Sequence, residues 1–170
     1  WARVGTLAFF ILLFSNLNSI KQIAWPQLGR VGMPAGECSF FVVGSEDQPL
    51  FEAAYGAASA SSAEDRGHMS QFIAHSALDV VDELRWTTSE SYLKVVDRFH
   101  ESLVSVYLTS GPTRFVLLHS SAHEDGINRF FQGVHELYIE TSMNPFHDPA
   151  APLASKRFRA TCAALADRHL

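Results

Sequence analysis

Eight histidines and eighteen acidic residues supply the groups from which acid–base or metal chemistry would be built. The tightest cluster is His119-x3-His123 with Glu124. A metal needs its ligands brought onto one face or into one closed loop. This cluster straddles the end of a strand-like run and a loop, so it reads as solvated loop residues and no metal is expected. A second group, His75, Asp79 and Asp82, shares one side of a helix, and an imidazole beside a carboxylate is the minimum for proton transfer. No nucleophile accompanies it, and neither a GxSxG elbow nor an HExxH pair occurs. Gly29, Gly32 and Gly36 have the wrong spacing for a phosphate loop or dinucleotide fingerprint. His123–Gly126 (HEDG) is not followed by the ligands of a calcium loop. Cys38 and Cys162 lie far apart without CxxC spacing and read as free thiols. By site chemistry the chain is not an enzyme and takes no cofactor. One short motif stands apart. Asn144-Pro145-Phe146 is the tripeptide that some endocytic adaptor domains read, although directly after a helix it reads first as the turn that stops it.

The elements that position these residues follow from periodicity. Over Gly67–Trp86, Met69, Phe72, Ile73, Ser76, Ala77, Val80, Val81 and Leu84 recur at steps of three and four, which predicts a helix with those residues toward a core. Ala74 and Leu78 widen its apolar arc beyond what one core contact needs. The polar strip is Gln71, His75, Asp79, Asp82 and Glu83. Ser39–Gly44 (SFFVVG) and Pro49–Tyr55 (PLFEAAY) read as a hairpin across the turn SEDQ. Gly56–Ala63 is a loop of small residues. Tyr92–Gly111 is ambiguous: Leu93, Val96, Phe99 and Leu103 fit a helix, whereas Val104–Thr109 is β-rich. With Arg114–His119 (RFVLLH), two or three strands are expected here. Glu124–Met143 returns to helical period, with Ile127, Phe130, Phe131, Val134, Leu137, Tyr138 and Thr141 on one side, and Asn144-Pro145 ends it. Ser155 caps a last helix bearing Phe158, Cys162 and Leu165. The order β-β-α-β-β-β-α-α predicts an α+β domain, one antiparallel sheet with helices on its faces.

At 170 residues and 47% hydrophobic, the chain suits one globular domain with a full core. Residues 1–32 hold three basic residues and no acid, so the remainder carries ten basic against eighteen acidic residues. A body that acidic argues against nucleic-acid binding, which rests on Lys and Arg at phosphates. Val4–Phe14 is an apolar run behind Arg3, similar to the core of a signal peptide and too short to span a bilayer. The chain begins with Trp1, and no clear cleavage site follows the run. The expectation is that residues 1–32 are a non-native or unstructured leader upstream of a start at Met33, and that residues 33–170 are the single domain.

Several of these stretches together resemble the sedlin family, subunit 2 of the transport protein particle (TRAPP) complex. The likeness is carried by Gln71–Glu83 (QFIAHSALDVVDE), Tyr92-Leu93-Lys94, Phe115–His119 (FVLLH), Glu124–Ile127 (EDGI), Phe130-Phe131, Leu137-Tyr138-Ile139 and Ser142–Phe146 (SMNPF). The resemblance implies a SNARE-like, longin-type fold: a five-stranded antiparallel sheet with one helix on one face and two on the other. It further implies a non-catalytic adaptor in a vesicle-tethering complex that acts as nucleotide exchange factor for a Rab-family GTPase in ER-to-Golgi transport. Its partners would be other TRAPP subunits, and the Rab only indirectly. Its location would be cytoplasmic, on ER–Golgi and cis-Golgi membranes through the complex alone. Exchange is made by other subunits in such assemblies, so no catalytic residue is carried over. The partner-binding candidates are His75, Asp79 and Asp82, and the helix that bears them, alone on its sheet face, should turn its surplus apolar side partly toward a partner. The competing classes are a secreted or membrane-anchored domain using Val4–Phe14, and a small hydrolase using the histidines.

Overall fold

The computed structural model describes residues 37–56, 63–120 and 123–170. Residues 1–32, with the expected leader and the Val4–Phe14 run, lie outside the described residues, as do 57–62 of the small-residue loop.

Strands β1 (Cys38–Val43) and β2 (Pro49–Tyr55) form the expected hairpin, closed where Gly44 N donates to Gln48 O at 2.9 Å. Asp47 takes a positive φ of 57° in that turn, a conformation Asp tolerates better than most residues. Then come helix α1 (Ala63–Arg85), strands β3 (Tyr92–Phe99), β4 (Ser102–Leu108) and β5 (Arg114–His119), and helices α2 (Glu124–Ser142) and α3 (Lys156–His169). The five strands form one antiparallel sheet in the order β2-β1-β5-β4-β3. This is the α+β, longin-type arrangement with one helix on one face and two on the other.

The two central strands explain their own composition. Phe40 and Val42 of β1, with Phe115 and Leu117 of β5, face α2 and α3. Phe41 and Val43, with Val116 and Leu118, face α1. Alternate residues point to opposite faces and both faces are covered, so neither strand shows a polar alternation. On the two-helix side Phe40 meets Phe130 edge-on at 5.1 Å between ring centroids, and Phe51 meets Phe158 at 5.0 Å. These edge-to-face pairs add specificity to apolar burial.

The ambiguous stretch from Tyr92 resolves as strand, and the misleading period has a structural cause. Leu93, Val96 and Phe99 all pack on the α1 side although they lie three residues apart. The β3–β4 register shifts between Tyr92 and Val95 and again between Val95 and Asp97, and Lys94 has a positive φ of 51°. Each irregularity adds a residue to the strand's repeat of two and imitates a helical spacing.

Helix α1 also departs from expectation. It runs Ala63–Arg85 where Gly67–Trp86 was expected, and its buried residues are Ser70, Ile73, Ala74, Ala77, Leu78 and Val81. The core-facing arc is therefore rotated toward Ala74 and Leu78. Phe72, expected in the core, is 67% exposed, and Ser76 is exposed with its hydroxyl donating to Ile73 O at 2.9 Å. The expected apolar arc mixed a core stripe with residues of the outer face.

Candidate interaction surface

The outer face of α1 follows from that rotation. Phe72, His75, Asp79, Glu83 and Trp86 succeed one another at steps of three and four, with Ser76 beside His75, and all are exposed. The stripe is about 21 Å long at 1.5 Å per residue. Its ends are aromatic, with Trp86 89% exposed just past the helix. Its middle is polar, and His75 and Asp79 make no ion pair among the described residues.

Asp82 plays a different part. Its Oδ1 lies 3.1 Å from Arg114 Nη2, while Arg114 Nη1 lies 2.7 Å from Asp47 Oδ1. The Arg114 side chain is only 10% exposed. One guanidinium thus ties the β1–β2 turn and α1 to the start of β5, which fixes how the helix lies on the sheet. Arg114 was missed from the sequence, where it read only as the first residue of an apolar strand. On the other edge, Gln71 Nε2 donates to Glu52 Oε2 of β2 at 2.6 Å. Of the three partner-binding candidates, His75 and Asp79 are left outward, and Asp82 is engaged within the domain.

The histidines of the tightest sequence cluster, expected as solvated loop residues, are used by the fold, and for His119 that expectation is corrected because it ends β5 facing the interior. His119 is buried with Nε2 2.9 Å from Ser105 Oγ. His123 caps α2, its Nδ1 accepting from Gly126 N at 3.1 Å. Among the described residues no three His, Cys, Asp or Glu converge as metal ligands. Cys38 and Cys162 are free and buried. Burial pushes the Cys38 thiol up to about 11, helped by neighbouring Glu37, and pushes Cys162 up to about 12. Neither is available as a thiolate nucleophile. An open cleft of about 280 Å³ runs between the end of α2 and the start of α3. Arg157 pairs with Glu140 across it at 3.3 Å, and Ser155 Oγ is occupied in capping α3 by accepting from Phe158 N at 3.4 Å. No nucleophile and base face each other there. Among the described residues no helix is long and apolar enough to cross a membrane.

What the arrangement offers is therefore a rigid helix with an aromatic-ended, acid-centred outer face. Comparison with known proteins shows which proteins the chain is similar to. The sequence model of the family described as Sedlin matches residues 42–168. The "Transport protein particle 20 kDa subunit" of Schizosaccharomyces pombe is 41% identical over 130 residues, covering 76% of this chain and 96% of that protein. The "Probable trafficking protein particle complex subunit 2" of Caenorhabditis elegans is 42% identical over 118 residues, covering 68% of this chain and 84% of that protein.

Proposed function

The chain belongs to the sedlin family, and from that premise we propose that it is a non-catalytic adaptor subunit of a TRAPP-type vesicle-tethering complex. The relatives that support this reading are themselves named as subunits of such particles. Nucleotide exchange on a Rab-family GTPase would be carried by the assembled complex and not by this subunit. Its partners would be neighbouring TRAPP subunits. It would work in ER-to-Golgi transport on the cytoplasmic side, reaching membranes through the complex. The domain that does this is carried by residues 33–170.

The observation that carries the docking mechanism is the outer stripe of α1. Phe72 on α1 and Trp86 just past its end are large apolar side chains held in water, while the opposite side of the helix packs on the sheet. Aromatic anchors of this kind dominate interface energies, with polar residues between them setting register. Asp79, at the middle of the stripe, would face a donor or cation of the partner. Asp82 supports the same contact indirectly, by holding Arg114 and with it the pitch of the helix.

The test is reconstitution with purified TRAPP subunits. Asp79→Lys should leave the isolated chain folded and weaken its retention in the complex. Phe72→Ala should do the same. The chain alone should not accelerate nucleotide release from a Rab-family GTPase. Undiminished assembly of both variants would remove α1 from the interface.

A further inference from the structure

A second exposed feature lies on the other side of the sheet. Helix α2 is capped by Met143, whose N–H donates to Ile139 O at 2.9 Å, and the next three residues are Asn144-Pro145-Phe146. They form a closed turn. Asn144 O accepts from His147 N at 2.9 Å, and Asn144 Oδ1 accepts from Phe146 N at 3.1 Å. The second bond is the side-chain turn that Asn makes two residues ahead, and Pro145 presets φ at the position where a turn needs it. The described non-glycine residues with positive φ are Asp47, Lys94 and His100, so Phe146 has negative φ and the turn is type I, not type II. Phe146 is consequently thrown outward and is 94% exposed, with Met143 at 77% on the preceding turn of chain. Among the described residues Asn144 Nδ2 has no acceptor, so its amide protons also remain available.

We propose that Asn144-Pro145-Phe146 is a preformed recognition turn for a small adaptor domain whose pocket takes Asn-Pro-Phe. An exposed Phe alone would suit any apolar surface. The commitment to this occupant comes from the set: a Phe ring for an apolar pocket, a carboxamide with free donors for polar groups at its rim, and a proline that holds the two apart. In a flexible peptide the turn must be ordered on binding. Here two hydrogen bonds and the end of α2 have already ordered it, and preorganisation of that kind raises affinity. The turn sits at the end of a helix on the two-helix face, whereas the α1 stripe belongs to the opposite face. The two surfaces can be occupied together, and this inference does not rest on the proposed function.

The experiment titrates the full chain into a purified endocytic adaptor domain that binds synthetic Asn-Pro-Phe peptides, with such a peptide as the control. Saturable binding that the free peptide competes away is expected. Phe146→Ala and Asn144→Ala should each weaken it at least tenfold; thermal unfolding should be unchanged for Phe146→Ala, whose side chain lies in water, and at most slightly lowered for Asn144→Ala, which also loses one exposed hydrogen bond of the turn. No saturable binding where the peptide binds would overturn the proposal, as would binding undiminished by Phe146→Ala. If Phe146→Ala instead leaves adaptor binding intact and expels the chain from the TRAPP assembly, the turn is an assembly contact and the proposal fails.

Discussion

Arg114 is the residue whose removal should be felt most widely for its size. It pairs with Asp47 and Asp82 at once from a position where it is itself nearly buried, although both carboxylates are about half exposed. Exposed pairs contribute little, and buried charged hydrogen bonds contribute more. Arg114→Ala should therefore cost about 1–2 kcal/mol in denaturant unfolding, between those limits. Arg114→Met should cost less, because it keeps the packing of the stem. The buried thiols give a second expectation. A raised pKa means the folded chain keeps a proton that the unfolded chain has already lost. The stability tied to Cys38 and Cys162 is thus fully present below their ordinary value of 9.0 and is lost as pH rises toward about 11 and 12. A thiol-specific chromogenic reagent at pH 8 should find neither cysteine in the native chain and both after unfolding. Rapid native labelling would contradict the burial.

At the scale of elements, the packing of α2 against α3 turns on Gly126. A Cβ there would collide with the carbonyl oxygen of His169 and press on the His123 ring that caps α2. Neither neighbour can yield easily, since one is backbone and the other is the cap. Gly126→Ala should destabilise the domain by about 1–3 kcal/mol, the usual range for overpacking, with the loss measured by thermal or denaturant unfolding. Most elements were legible from the sequence because their burial is regular: β1 and β5 as unbroken apolar runs, α2 through Ile127, Phe130, Phe131, Val134 and Leu137, α3 through the Ser155 cap. Two were harder, for physical reasons. The irregularities of β3 put Leu93, Val96 and Phe99 on one side at a spacing that belongs to helices. Helix α1 carries apolar residues on its outer face as well as its inner one, so periodicity alone could not say which arc the sheet would take. Arg114 left no signal at all, because its partners are 67 and 32 residues away in sequence and meet it only once the sheet and α1 are assembled.

At the scale of the whole molecule, the fold is a sheet covered on both faces that presents two unlike surfaces from opposite sides. The α1 stripe is long and aromatic at its ends, suited to a rigid neighbour. The turn after α2 is compact and centred on one ring. Among the described residues no three His, Cys, Asp or Glu converge as metal ligands, and the fold takes up the groups that looked reactive: Cys38 and His119 in the central strands, His123 in the cap of α2 and Cys162 within α3. The reading that follows is assembly through α1, and it makes Asp79 the informative position, exposed and unpaired at the midpoint of the stripe. The direct measurement is the dissociation constant of the chain for purified TRAPP subunits, wild type against Asp79→Lys, with thermal unfolding measured in parallel. The account predicts unchanged unfolding and at least tenfold weaker assembly. Equal affinity for the two proteins would contradict it.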